Sequence, residues 1–435
     1  MPPRLSKKPA STYEKQVKMT DIAVPSGPAP QKKSFREVWL ITIGHALTHW
    51  YPGTFYLLLP LIGNELGLSY VQIGSILTTQ ALCGAISNIP GGLIVDSVGR
   101  KGVLMALSLF WIGAPYLLMG FSYDYWMLLT CAALVGIGNN LWHPTAIPLL
   151  AQHFPDRKGL AVSIHGMGGN VGDALAPFVA GALLAYLTWR QVVVVNVLPG
   201  ILMAVVLLYC LGRMQAAAQP DPADTAPARR SPRDVLRDFR RLLDNRTLVF
   251  ICASSVFRSM TYGGLMTFLP IYLARELNYS SFWIGACMAA LQIAGFIAAP
   301  ISGHLSDKVG RRQIIMSSMA VTAVIIAFMI VAGRSSAFVF FIAFLGFFFF
   351  SIRAVLQAWL LDATPANMGG SSIGMLFAIQ ALGSSMGPLA CGLIADSYGL
   401  PATFYFLVAT VIVANFFIFF TPVGLEPRYA PSPAE

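Results

Sequence analysis

The sequence predicts an all-α membrane protein of twelve transmembrane helices in two pseudo-symmetric six-helix bundles. Three observations predict it: apolar residues are gathered in long runs, one charged phrase occurs twice, and basic residues are sorted by loop. Mean hydropathy is +0.66 and only 11% of residues are charged, far below the roughly 25% of a soluble domain. Most runs exceed the ~18–20 residues a helix needs to cross a bilayer. Backbone groups in lipid must be satisfied internally, and strand alternation is absent, so the runs are helices.

In order, the predicted spans are 38–62, 71–95, 103–120, 126–150, 159–186, 191–212, 247–274, 281–305, 313–333, 336–361, 368–394 and 401–421. Residues 1–37 are polar and basic without an apolar core and read as a disordered cytoplasmic arm with no cleaved signal peptide. The bundle at 38–212 is followed by a linker at 213–246. Within the linker, Val235, Leu236, Phe239, Leu242 and Leu243 alternate with arginines at helical spacing, which predicts a surface helix. A second bundle at 247–422 and a tail at 423–435 complete the chain.

Orientation follows from Lys and Arg. With both termini inside, cytoplasmic segments hold 24 of the 29 and outside loops hold three, Arg190, Arg275 and Arg334. This fits the positive-inside rule, so the net charge of +10 reports topology and requires no nucleic-acid partner. The six cysteines lie singly within apolar runs and read as packing residues.

The repeated phrase is Gly92-Leu93-Ile94-Val95-Asp96-Ser97-Val98-Gly99-Arg100-Lys101, and 211 residues later Gly303-His304-Leu305-Ser306-Asp307-Lys308-Val309-Gly310-Arg311-Arg312. Gly92 and Gly303 are expected to allow close helix packing, Gly99 and Gly310 to make the turn, and Asp96 and Asp307 to pair with a cation or face a helix N-terminus. At the same offset Gly74 maps onto Gly285, and Gly172, Pro177 and Gly181 map onto Gly383, Pro388 and Gly392. A duplicated membrane half predicts a carrier that rocks one half against the other.

The phrase resembles the G-x-L-x-D-x-x-G-R-K motif of the major facilitator superfamily, and twelve helices with a mid-chain loop resemble that family over nearly the whole chain. The resemblance implies that Asp96, Asp307, Arg100 and Arg311 latch the cytoplasmic side when the cavity opens outward. Gly138-Asn139-Asn140-Leu141-Trp142-His143-Pro144, with Gly159-Leu160-Ala161 through Gly168-Gly169-Asn170-Val171-Gly172, is similar to the fosmidomycin-resistance branch of bacterial exporters. That branch implies efflux, drug resistance and an inner-membrane location.

An ionised residue at mid-span costs roughly 2.5–3.5 kcal/mol on insertion scales, so such residues face a cavity or a partner. The candidates for proton coupling are Asp173, His45, His49 and His143. Asp173 is the sharpest, because its repeat position is Ser384 and a carboxylate in a dry cavity suits a proton carrier. His165 shares its span and is given less weight. Arg258 and Arg353 cannot deprotonate and require an anion, either Asp173 or an anionic solute. Tyr51, Asn170, Tyr262 and Gln357 complete the expected substrate cavity. A metal at His45, His49 and His143 would need a further ligand such as Asp173, and none is expected; no cofactor is expected either. The Phe run at 347–350 is read as packing. No HExxH, GxSxG or Walker sequence occurs, so an enzyme and an ATP-driven pump are not expected. The leading expectation is a monomeric proton-coupled exporter of a small solute, with symport, uniport or a transporter-like sensor as alternatives.

Overall fold

The computed structural model describes residues 35–98, 100–139, 141–212, 242, 244–333, 335, 337–364 and 368–422. Residues 1–34 of the expected N-terminal arm, the linker helix apart from Leu242 and Asp244, the tail and Gly99 lie outside the described residues, while Arg36 and Glu37, expected in the arm, already belong to the first helix. There are thirteen α-helices and no strand among them. They are α1 (Arg36–Glu65), α2 (Tyr70–Ser97), α3 (Lys101–Met119), α4 (Tyr125–Asn139), α5 (Trp142–His153), α6 (Lys158–Leu183), α7 (Trp189–Leu211), α8 (Arg246–Arg275), α9 (Ser281–Val309), α10 (Arg311–Ala332), α11 (Ala337–Asp362), α12 (Gly369–Tyr398) and α13 (Leu400–Phe419). Eight of them are long and apolar enough to cross a membrane by composition alone. The α1 helix carries polar groups at its centre, and the fourth span is shared by α4 and α5.

That division departs from the single helix expected over 126–150, and the sequence contains its cause. Pro144 has no N–H for the carbonyl four residues back, and its ring clashes there. Carbonyls around the break accept side-chain donors: Trp111 Nε1 to Leu134 O at 2.9 Å, Ser108 Oγ to Gly138 O at 3.2 Å and Ser87 Oγ to Ile137 O at 3.4 Å. Broken helices survive at membrane depth when such partners exist. Gly138 makes room, since a Cβ there would sit 2.0 Å from the Trp111 ring. The break sets His143 at the start of α5.

Helix pairing repeats between the halves. α1 packs on α6 as α8 packs on α12, α2 on α4 as α9 on α11, and α3 on α7 as α10 on α13. The halves meet along two seams, α2 against α12 and α9 against α6. Gly74 lies against the Pro388 carbonyl and Gly285 against the Pro177 carbonyl, where a Cβ would approach to 2.3 and 2.2 Å. Gly392 likewise faces the Tyr70 carbonyl and Gly181 the Ser281 carbonyl, both at 2.6 Å. Of the equivalent positions read from the repeat, Gly74 and Gly285, Pro177 and Pro388, and Gly181 and Gly392 are therefore the contact points of a pseudo-twofold interface, while Gly172 and Gly383 pack within their own halves against the Ala46 and Val256 carbonyls. This interface closes the protein at the end opposite the Gly-Arg hairpins.

At the hairpin end, Gly310 has φ +110 and makes the turn before α10. Arg311 binds Asp307 and, at 3.1 Å, Asp362. Arg100 donates to the Gly212 carbonyl at 3.2 Å. Gly303 corrects an expectation: a Cβ there would meet nothing within 4 Å, so no close packing requires a glycine in this conformation. Gly92 and Asp96 lie in the last turns of α2.

Candidate functional site

The first half builds its polar centre where α1 crosses α6. His45 and His49 stand one turn apart on one face of α1. The Gly-Gly-Asn run of α6 allows that face to approach, for a Cβ on Gly168 would sit 2.4 Å from Thr42 O and one on Gly172 2.1 Å from Ala46 O. A Cβ on Gly169 would fall 2.9 Å from His45 Cε1 and 3.0 Å from His49 Nε2. The glycines are the seat of the histidines.

Five ionisable side chains meet here. His45 Nε2 lies 3.0 Å from His143 Nε2, and His45 Nδ1 lies 2.7 Å from the His165 carbonyl oxygen. Since a carbonyl only accepts, His45 Nδ1 carries the proton. His49 Nδ1 lies 3.0 Å from Asp173 Oδ2. The His165 ring stacks on His45 with centroids 4.1 Å apart, is 2% exposed, and has neither nitrogen hydrogen-bonded. His165, discounted from sequence, is thus part of the cluster. Its signal was its place three residues before the Gly-Gly pair. The nitrogens of His45, His49 and His143 come within 4.8 Å of one another, the spacing of a potential metal-ligand set.

The Asp173 carboxylate is also within electrostatic reach of the Tyr56 and Tyr262 hydroxyls, one from each half. These tyrosines line a cavity of about 250 Å³ with Gln80, Gly136, Ser384 and Pro388. Tyr56, Gln80 and Ser384 were not among the expected cavity residues. Gln80 is an amide near the middle of an apolar span, and Ser384 is the repeat partner of Asp173.

The second half presents cations. Arg258, on α8, is 5% exposed; its Nη2 reaches Phe349 O at a long 3.5 Å, its Cζ sits 4.9 Å over the Phe349 ring, and its Nε has no partner. No carboxylate forms an ion pair with Arg258 or Arg353 among the described residues, because Asp173 is held by His49. Arg353 is exposed on α11, near enough for its charge to act on Arg258 and His143. The Phe run also contributes here, Phe349 carrying Arg258 and Phe350 packing on Tyr262 at 5.9 Å. Asn170 is exposed on α6 and Gln357 half-buried on α11. Neither hydrogen-bonds to the histidines, Asp173 or the arginines among the described residues.

Tyr51 does not line this cavity. It is 2% exposed inside the first half, packed on Tyr116 at 5.7 Å and on Gly113 and Gly200. The reason is angular: two residues beyond His49 is about 200° around a helix, which turns Tyr51 toward α3 and α7.

At the closed end, Asp396 of α12 accepts from the backbone N–H groups of Tyr70 and Val71, both at 2.9 Å, and so caps α2 from the other half. Arg275 Nη1 donates to Tyr70 Oη at 3.3 Å. The expected eleventh span stopped at 394 and left Asp396 in a loop.

Comparison with known proteins agrees with this architecture. The family model of the Major Facilitator Superfamily matches residues 38–296 and 251–435. A probable 4-methylmuconolactone transporter of Cupriavidus pinatubonensis is 26% identical over 86% of each chain. The multidrug resistance protein MdtG of Proteus mirabilis is 23% identical over 90% of this chain and 98% of its own. Among solved structures, an inward-facing, occupied bacterial homolog of the human lysosomal transporter Spinster superimposes with TM-score 0.77 at 18% identity, covering 93% of this chain and all of that one. Two repeated six-helix bundles, seams between equivalent glycines and prolines, and a family match spanning both halves give one conclusion: the chain belongs to the Major Facilitator Superfamily, a multi-pass membrane transporter of small solutes.

Proposed function

We propose that this transporter exports a small organic anion across a bacterial inner membrane, driven by inward proton flow, as a monomer with both termini cytoplasmic. The observation that carries the anionic solute is Arg258. A buried guanidinium with an unpartnered Nε and a second arginine nearby costs free energy unless an anion arrives. The 250 Å³ cavity is not lined by Arg258 itself but by Tyr262, one turn further along α8, and suits a small solute, with Tyr56, Tyr262, Gln80 and Ser384 to orient polar groups. Likeness to the methylmuconolactone transporter and to a hexuronate transporter of Bacillus subtilis supports an oxygen-rich, acidic solute. Export is favoured over symport, uniport or sensing by the resemblance of 138–144 and 159–172 to the fosmidomycin-resistance branch and by the likeness to MdtG.

Proton coupling is assigned to Asp173, paired with His49 and facing the tyrosines of both halves. With the hairpins cytoplasmic, closure along the Gly-Pro seams is an inward-facing state. Asp307 and Arg311 then pair within their own half, ready to serve as the latch of the opposite state. The test is a vesicle assay with an imposed pH gradient and a panel of labelled carboxylates and phosphonates. Arg258→Lys is expected to weaken solute binding about tenfold, because the planar fork is lost while the charge stays. Wild-type binding by both Arg258→Lys and Arg353→Lys would reject the anion site. Deletion of the gene is expected to sensitise cells to phosphonates, and an uncoupler to mimic the deletion; an unchanged sensitivity profile would reject export.

A further inference from the structure

We propose that the His45–His49–His143 cluster is a binding site for a divalent transition-metal ion of the zinc class. The placement of protons on these rings points to it. A metal-bound imidazole characteristically gives its second N–H to a carboxylate or backbone carbonyl, which fixes the ring and leaves a bare nitrogen for the ion. His45 does this through Nδ1 to the His165 carbonyl at 2.7 Å, and His49 through Nδ1 to Asp173 at 3.0 Å. Both then offer Nε2. The His49 Nε2 and the His45 ring edge border the same space beside Gly169.

His143 supplies the third nitrogen: its Nε2 lies 3.0 Å from His45 Nε2 and donates the hydrogen bond between them, so metal binding shifts the His143 proton to Nδ1 and frees Nε2 for the ion. Two nitrogens bound tetrahedrally at 2.0–2.1 Å lie about 3.3 Å apart, so this pair is already near the ligand spacing. His143 is the exposed member and His45 the buried one, so the fourth position lies on the exposed side of the cluster, open to water or a solute oxygen. Three neutral imidazoles leave the ion its full charge, and imidazole sets favour zinc, copper and nickel over magnesium or calcium. His165, stacked on His45 with both nitrogens unpartnered, borders the same cluster. Asp173 orients His49 and is not counted as a ligand.

The inference stands on ring geometry and is independent of the anion reading, so its test avoids transport. Full-length protein in detergent, with any affinity tag removed and metal stripped by EDTA, is titrated with Zn²⁺ by calorimetry and with Co²⁺ by visible absorption at fixed pH. One ion per chain is expected at micromolar affinity or tighter, with the strong absorption of four-coordinate Co²⁺. His143→Gln, at an exposed position, is expected to lose at least 100-fold in affinity with helix content and gel-filtration profile unchanged. Asp173→Asn should lose roughly 10–100-fold. His153→Gln, near Glu37 and away from the cluster, should bind as wild type. No stoichiometric uptake, or uptake that survives His143→Gln, overturns the site. Full-strength uptake by Asp173→Asn overturns the carboxylate-held geometry on which it is built.

Discussion

The centres of the two halves share a scaffold and differ in chemistry. At the 211-residue offset His45, His49, His143 and Asp173 correspond to Val256, Met260, Ala354 and Ser384, while Arg258 and Arg353 correspond to Leu47 and Trp142. In the first half four of the five ionisable groups satisfy one another, His49 with Asp173 and His45 with His143, and His165 is stacked on His45 without a hydrogen bond. In the second the buried cation leans on a phenyl face and a long carbonyl contact. Between the halves the repeat holds closely, since Gly74, Gly285, Pro177 and Pro388 make matching contacts. Duplication is kept where backbones touch and abandoned where charge sits. The self-satisfied half is suited to storing and passing a proton, and the unsatisfied half to holding something from outside.

The largest break in this comparison comes from Arg258→Ala. If the second half holds the solute, binding falls at least 100-fold by equilibrium measurement, while thermal stability holds or rises because an unpaired buried charge is gone. Normal binding would move the solute away from the second half. Next comes Asp173→Asn, which keeps size and much of the hydrogen bonding but cannot exchange a proton. Accumulation driven by a pH gradient should be abolished while solute exchange across the vesicle membrane survives; full gradient-driven accumulation would place the proton elsewhere.

The seams allow a third test. Gly285→Val places a branched side chain where even a Cβ would sit 2.2 Å from the Pro177 carbonyl. The closed end should open, with labelling of an introduced cysteine near Ser281 rising several-fold and transport falling about tenfold or more. Gly303→Ala, with open space around it, should leave both within about twofold in this conformation.

Much of this was legible because membrane helices carry their signal in length and apolarity. The twelve spans, the duplicated hairpins and the Gly-Pro equivalences followed from runs and offsets alone. The break before Trp142 was missed because a run of apolar residues hides a backbone event. Pro144 ends the ladder, but the hydrogen bonds that Trp111, Ser108 and Ser87 give to carbonyls around the break are visible only in three dimensions. Tyr51 was misplaced because proximity in sequence to His49 was allowed to outweigh helical angle. Partner choice was least legible: whether Asp173 meets an arginine or a histidine depends on helix rotations of tens of degrees, which no spacing reports.

The smallest expected effect sharpens the comparison at the closed end, where the two seams differ by one carboxylate. Ser69 already caps α2 through Gln72 N at 3.1 Å, and Asp396 adds two contacts from the other half to Tyr70 and Val71. On the matching seam Ser280 makes no side-chain cap of α9, and the position equivalent to Asp396 is Ala185. A charged acceptor at a helix N-terminus contributes about 0.3–1 kcal/mol, enough to shift an equilibrium between closed and open by roughly two- to fivefold. Asp396→Asn retains an acceptor oxygen and should open that end by about twofold; Asp396→Ala should open it further, toward fivefold. Both are read as the labelling rate of a cysteine behind Tyr70, with helix content unchanged. Equal rates in all three proteins would mean that glycine–carbonyl packing alone closes the seam and that the carboxylate only caps a helix.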